Sequence, residues 1–185
     1  MDKKECLEQA KSSMNSSIAF FEKELEKIRT GKASPKMLEG VKVDYYGNPT
    51  PLEQVANINT PDAKQIVVQP WEKSMLAPIE KAIRDANLGF NPQNNGEILR
   101  VPVPTPTEER RKELVKMAKQ EAEQARVNIR NIRRNANEDA QKMKKDGVSE
   151  DEIKKLEEDI QKLTDEYSKK IDAIFAAKEK DIMTV

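Results

Sequence analysis

Helix-breaking residues are confined to the middle of this 185-residue chain, and this distribution constrains the fold more than any other feature. Nine of the ten prolines and five of the six glycines lie between residues 31 and 104. From Thr107 to the C-terminus there is no proline, and Gly147 is the single glycine. Proline and glycine both disfavour the interior of a helix. The sequence therefore predicts a domain of another kind inserted between helical segments.

Three segments outside the inserted region each predict one long amphipathic helix, because their apolar residues recur every three or four positions. The first covers residues 1 to about 30. The second starts at Thr105-Pro106-Thr107-Glu108, which offers Thr105 as an N-cap, proline at the first helical position and glutamate at the third, and it ends before Gly147. The third starts with a capping box at Ser149-Glu150-Asp151-Glu152. Three helices with one apolar face each predict an antiparallel three-helix bundle.

The inserted region predicts a small β/α/β domain, which makes the whole chain an α+β protein. Strands are expected at residues 41–46, 52–58, 65–69 and 98–103, a turn at 47–51 and a helix at 74–87. The domains are then 1–30 with 106–185, and 31–105. Two short connections, at Thr30-Gly31 and at Pro104-Thr105, are expected to act as hinges. Trp71, between a strand and the helix, is interpreted as a core residue rather than a base-stacking platform.

The composition excludes several classes of function. The chain contains no histidine, which removes the commonest general base and the commonest metal ligand. No phosphate-binding loop, nucleophile elbow or metal-ligand cluster occurs, and Gly31-Lys32-Ala33-Ser34 follows a helix, so we interpret it as a hinge. Cys6 is the single cysteine, which excludes an intramolecular disulfide and indicates a reducing compartment. No apolar run is long enough to cross a membrane, and we expect a cytoplasmic protein.

Arginines cluster in one segment of the second long helix. The 33 basic and 33 acidic residues cancel, so any contact with nucleic acid must come from a local patch. Residues 124–134 hold Arg126, Arg130, Arg133 and Arg134 and no acidic residue. The first three lie within about 60° of one another around a helix. Guanidinium groups suit phosphate, but a solvated face whose arginines pair with acids of a neighbouring helix is the commoner outcome for such runs.

Several segments resemble the signatures of the ribosome recycling factor family. Ile28-Arg29-Thr30-Gly31-Lys32-Ala33-Ser34-Pro35 resembles the way these factors leave their first helix. The other similar segments are Val43-Asp44-Tyr45-Tyr46-Gly47, Pro51-Leu52-Glu53-Gln54-Val55-Ala56, Leu88-Gly89-Phe90-Asn91-Pro92, Asn95-Gly96-Glu97-Ile98-Leu99-Arg100 and Thr107-Glu108-Glu109-Arg110-Arg111-Lys112-Glu113-Leu114. Residues 121–127 and 129–134 resemble the family's own arginine segment. The resemblance runs nearly end to end in the family's order. Pro106 departs from it, because many members have an apolar residue there.

The resemblance implies an L-shaped monomer that binds the post-termination ribosome. Together with elongation factor G and GTP, such a factor splits the subunits and releases mRNA and deacylated tRNA. GTP hydrolysis belongs to the partner, so the chain itself is expected to be no enzyme and to need no cofactor. Carried over to this sequence, the residues that contact large-subunit ribosomal RNA are Arg133 and Arg130 first, then Arg126, Arg134, Arg110 and Arg29.

Two other functions remain compatible with the residues. A coiled-coil scaffold or adaptor would bind another protein through its helices, and its arginines would be dispensable. A small enzyme would require a concave site, which a rod of helices with carboxylate runs such as Glu108-Glu109 and Glu157-Glu158-Asp159 does not supply.

Overall fold

The computed structural model describes residues 1–184, which divide into two compact units. One unit contains residues 1–30 and 108–184, and the other contains residues 31–107. The second boundary lies two residues beyond the expected position because the helix that follows starts at Glu108.

The helical unit consists of α1 (Lys3–Glu26), α3 (Glu108–Lys145) and α4 (Glu150–Met183), while α2 belongs to the other unit. The side chain of Ser149 caps α4 by accepting a hydrogen bond from the Glu152 amide at 3.3 Å, as the sequence predicts. Asp2 and Glu5 form a reciprocal capping box at α1 that the sequence analysis did not single out. Thr105 was wrongly predicted as the cap of α3. Pro106 lies outside that helix and packs beside Gly31.

The core of the helical unit is built on a row of small residues in α3. Ala118, Ala122 and Ala140 are fully buried, and they let α1 and α4 approach α3 closely. Opposite them lie the larger buried side chains, which are Met14, Phe21 and Leu25 of α1 and Leu156, Ile160, Tyr167 and Ile171 of α4. Two polar side chains of this core are hydrogen-bonded: the Thr164 hydroxyl donates to the Ile160 carbonyl at 2.8 Å, and the Tyr167 hydroxyl donates to Asn15.

The small unit contains two antiparallel sheets and one α-helix. β1 (Lys42–Tyr45) pairs with β2 (Asn48–Pro51), and the second sheet has the order β3-β4-β6-β5. Its strands are β3 (Ala56–Asp62), β4 (Gln65–Pro70), β5 (Gln93–Asn94) and β6 (Leu99–Pro102), and the helix is α2 (Leu76–Asp85). Aliphatic side chains fill the core, including Val43, Ile66, Val68, Ile79, Ile83, Leu99 and Val101. The predicted combination of a bundle of long helices with a small α/β unit is confirmed.

Two predictions for strands and turns of the small unit were wrong. Residues 48–51 form β2 rather than part of a turn, because Tyr46 (φ 50°) and Gly47 (φ 86°) make the reversal between β1 and β2 on their own. Residues 52–54 form a 3-10 turn, and the strand predicted from residue 52 starts only at Ala56. In the same way, a 3-10 turn at Lys73–Met75 precedes α2.

The interpretation of Trp71 as a core residue was also wrong, since its side chain is 66% exposed. Side chains alternate between the two faces of β4, and Ile66 and Val68 point into the core. Trp71 is an odd number of residues from Val68, so it falls on the face opposite the core. It comes directly after the end of the strand at Pro70 and continues that outer face. Within residues 1–184, no helix is both long and apolar enough to cross a membrane.

Candidate nucleic-acid interface

The arginine segment lies in the middle of α3, where Arg133 flanks the alanine row at about 60° from Ala118, and Arg130 and Arg134 turn further towards solvent. Arg130 and Arg134 are exposed, and neither forms an ion pair with any residue in the described range 1–184. Arg133 is half-buried, and its Nη1 donates to the side-chain oxygen of Gln161 on α4 at 3.3 Å. Because Gln161 is neutral, the charge of Arg133 stays uncompensated. These three guanidinium groups therefore present uncompensated positive charge on one stretch of helix.

Arg126 differs from the other arginines of the segment because its guanidinium is engaged inside the protein. Nη2 donates to Asp172 of α4 at 2.7 Å, and Nη1 donates to Glu123 one turn earlier in α3. The hydrogen bond with Asp172 is the main cause that raises the pKa of Arg126 above its ordinary value, and Glu123 adds to it against the effect of desolvation. For this residue, the structure matches the alternative of an ion pair with a neighbouring helix.

The two remaining arginines lie apart from this group. Arg110 is 20 residues before Arg130, which corresponds to about 30 Å along the helix, and it pairs with Glu113 at 2.9 Å. Arg29 is exposed in the segment that follows α1. The structure therefore brings together Arg130, Arg133 and Arg134, and it places Arg110 and Arg29 elsewhere on the helical unit.

A groove continues from the arginines towards the C-terminal end of α3. Its volume is about 580 Å³, and its lining contains Arg133, Arg134, Asn137, Glu138, Gln141, Lys142 and Lys145 of α3 and Glu157 of α4. The sequence analysis missed Lys142 and Lys145 because acidic residues interrupt the run of charge after Arg134. A helical projection extended to residue 145 would have found Lys145, which lies about 20° from Arg134, but not Lys142, which is on the opposite side of the helix from Arg133.

Gly31, one of the predicted hinge residues, lies close to the other connection. Its backbone has φ +76°, and a Cβ at this position would collide with Cγ of Pro106 and lie 3.3 Å from Cδ. Only glycine therefore fits here without strain. Thr30 is half-buried, whereas Pro104 and Thr105 are exposed and outside any helix or strand. Motion at these four residues stays a prediction.

Groups that could carry chemistry are sparse in the described part of the chain. No group of three or more His, Cys, Asp or Glu side chains that could hold a metal ion occurs within residues 1–184. Desolvation, followed by the charge of Asp139, raises the pKa of the buried Cys6 thiol, which donates to the Ala136 carbonyl at 3.6 Å. Such a thiol is a poor nucleophile. Glu108 and Glu109 occupy the first turn of α3, where negative charge stabilises the helix dipole.

The comparisons with known proteins agree on one family. The family model described as ribosome recycling factor matches residues 21–183. The ribosome-recycling factor of Flavobacterium johnsoniae is 58% identical over 179 residues, which is 97% of this chain and 96% of the relative. A solution structure of a ribosome recycling factor superposes with a TM-score of 0.69 at 40% identity, covering 100% of this chain and 99% of the other.

A second solved structure contains partners. It is described as models of the Thermus thermophilus ribosome recycling factor and the Escherichia coli elongation factor G bound to the E. coli post-termination complex. The matched chain is 45% identical with a TM-score of 0.61, and all of both chains is covered. From the family match and the full-length relatives, this chain belongs to the ribosome recycling factor family.

Proposed function

We propose that this protein is a translation factor that binds the post-termination ribosome. Acting with elongation factor G and GTP, it separates the subunits and releases mRNA and deacylated tRNA for another round. Family membership supports the recycling role, and the relative described in complex with elongation factor G on a post-termination complex supports the partners. The observation that carries the proposal for this chain is the uncompensated charge of Arg130, Arg133 and Arg134 in a protein of zero net charge.

The proposed ligand of this surface is large-subunit ribosomal RNA. A guanidinium donates several hydrogen bonds in one plane, which suits phosphate oxygens, and it also stacks on bases. Arg133 and Arg130 are the first candidates, followed by Arg134. Arg110 and Arg29 are proposed as outlying contacts. Arg126 must exchange its bonds with Asp172 and Glu123 before it can reach RNA, so its contribution is expected to be smaller.

The proposed mechanism uses the two units separately. The helical unit stays on the RNA while the partner displaces the small unit, with the backbone change absorbed at Thr30, Gly31, Pro104 and Thr105. Few residues are needed to absorb such a change. In this scheme the factor performs no catalytic step, and elongation factor G hydrolyses the GTP.

A subunit-splitting assay tests the proposal. Purified post-termination ribosomes are mixed with the factor, elongation factor G and GTP, and light scattering follows the conversion to subunits. We expect splitting only when all components are present, and no GTP turnover by the factor alone. If the factor neither pellets with ribosomes nor promotes splitting, the proposal is wrong, and a scaffold that binds other proteins through its helices becomes the better explanation.

A further inference from the structure

We propose that the RNA-contact surface continues beyond the arginines along the last three turns of α3, where Lys142 and Lys145 bind phosphates of the same RNA strand. This inference rests on the proposed function, because it names further contacts of the surface that holds ribosomal RNA. Neither lysine belongs to the arginine segment that the sequence singles out.

The first support is the direction in which these side chains leave the helix. Lys145 follows Arg134 by 11 residues, so the two lie within about 20° around α3 and about 17 Å apart along it. Lys142 is exposed and lies about 60° from Lys145 and about 80° from Arg134 around the helix, on the flank of the groove opposite Arg133. Both lysines line one continuous groove with Arg133 and Arg134. A ligand lying along this groove would meet Arg134 and Lys145 in succession, with Arg133 on one flank and Lys142 on the other.

The second support is the absence of internal partners. Within residues 1–184, neither Lys142 nor Lys145 forms an ion pair, although both are exposed. Lys144, between them, does pair with Glu150 at 3.2 Å, because it leaves the helix in another direction. Acidic residues are therefore available near this end of α3, but they do not neutralise the two lysines of the groove.

The balance of charge in the groove is positive. Its lining includes two carboxylates, Glu138 and Glu157, against four cations. The oxygen Oε1 of Glu157 accepts a hydrogen bond from the Gln141 amide at 2.6 Å, which turns this carboxylate towards a neutral neighbour. The whole chain has equal numbers of acidic and basic residues. The surplus is thus local to this groove.

The chemistry of the lining favours a phosphate backbone over bases. Lysine acts as a compact point charge without the planar fork that reads base edges, so it suits a repeating anion. A nucleic-acid strand carries one phosphate for roughly every 3.4 Å of helix axis, so the distance between Arg134 and Lys145 spans roughly five phosphates. An acidic protein segment is the competing ligand, and the experiments below separate the two.

The first experiment measures how salt affects binding. The full-length variant Lys142→Gln/Lys145→Gln is compared with wild type for equilibrium binding to purified large subunits over a series of KCl concentrations. Each lost phosphate contact reduces the slope of log affinity against log salt by about 0.7–0.9, so we expect a reduction of about 1.4–1.8 for the pair. Lys4→Gln/Lys11→Gln on α1 is the matched control, since both lysines are exposed and the change in charge is the same.

The second experiment identifies the neighbour of Lys145. A Lys145→Cys variant with Cys6 replaced by alanine carries a tethered iron chelate that generates hydroxyl radicals. We expect cleavage of the large-subunit RNA backbone close to the tether when the labelled factor is bound. Circular dichroism melting of all variants, and of Cys6→Ala alone because Cys6 is buried, verifies that the bundle is intact.

The outcomes separate this inference from the proposed function. If wild type binds large subunits and the Lys142/Lys145 variant keeps the wild-type salt slope, the inference is wrong and the proposed function stands. A reduced slope without RNA cleavage near residue 145 assigns the groove to an acidic protein and also overturns the inference. If wild type does not bind large subunits, both proposals fail together.

Discussion

Arg126 and Arg133 lie two turns apart on α3, and their sequence surroundings are alike, yet the structure gives them different environments. The Arg126 side chain is 24% exposed, and it bridges Glu123 and Asp172. Arg133 contacts a neutral amide. The pairing of Arg126 depends on Asp172, a residue 46 positions away on another helix. No pattern within the arginine segment indicates which of its members has such a partner, which is why sequence alone treats them as one group.

This difference predicts opposite effects for two alanine substitutions. Arg126→Ala removes two ion pairs and is expected to reduce the free energy of unfolding by about 1 kcal/mol, with a small effect on ribosome binding. Arg133→Ala is expected to change stability by less than about 0.5 kcal/mol and to weaken ribosome binding by about 1–3 kcal/mol. Thermal melting and ribosome pelleting measure the two quantities. If the two variants weaken binding equally, the ion pairs of Arg126 do not limit its contact with RNA.

Trp71 gives a second prediction at the level of a single residue. Because its indole is on the surface, Trp71→Ala is expected to change the free energy of unfolding by less than about 0.5 kcal/mol. Ile79→Ala in the core of the same unit is the matched comparison, since Ile79 is fully buried and such a truncation costs about 2–5 kcal/mol. Trp71 is the sole tryptophan, so the native protein should also show the emission of a water-exposed indole and be quenched by acrylamide. Blue-shifted, protected emission would contradict this environment.

Among the elements, the long helices agree best with the predictions made from the sequence. Their apolar spacing is a local property of the chain, and it identified the buried faces of α1, α3 and α4. The strand predictions for the small unit were less accurate, because its strands depend on partners that are distant in sequence. Tyr46 adopts a left-handed backbone conformation that a tyrosine rarely has, so the reversal at Tyr46-Gly47 was not expected from propensity. The proline-containing segment after it therefore looked like the turn, although Asn48–Pro51 pairs with β1.

The alanine row of α3 gives a prediction for an element. Ala122 has no exposed surface, and the close approach of the helices leaves no room for a larger side chain. Ala122→Leu is therefore expected to destabilise the protein by about 1–3 kcal/mol through overpacking. Gln120→Leu, on the exposed side of the same helix, is the control for adding an apolar side chain to α3. Equal melting temperatures for the two variants would show that the row is loosely packed.

At the scale of the whole molecule, the sequence located the basic surface but not its extent. Basic residues that alternate with acidic ones along a helix do not form a run in the sequence. Lys142 and Lys145 are therefore identified by the groove that they line. The resemblance to the family supplied the proposed ligand, because guanidinium groups on a helix fit several anionic partners equally well. The connections between the units were located from proline and glycine, but the close approach of Gly31 and Pro106 depends on tertiary structure.

The last prediction concerns these connections and the proposed separation of anchoring from movement. In Gly31→Ala, the new methyl group meets the rigid ring of Pro106, and alanine disfavours φ +76° by about 1–2 kcal/mol. The connections must then shift, so subunit splitting with elongation factor G and GTP should be slowed. Ribosome binding should be largely retained, since the main proposed contacts, Arg130 and Arg133, lie on α3 and Gly31 lies outside the helical unit.

Two further variants separate the contact with Pro106 from backbone strain. Gly89→Ala introduces alanine at φ +81° in the same unit, but nothing lies within 4 Å of its Cβ. It should therefore match Gly31→Ala in local strain and still split ribosomes normally. Gly31→Ala/Pro106→Ala removes the ring and should recover part of the splitting rate. If Gly31→Ala splits ribosomes as fast as Gly89→Ala, the close approach at Gly31 does not control the movement, and the force from elongation factor G must be transmitted without a change at this connection.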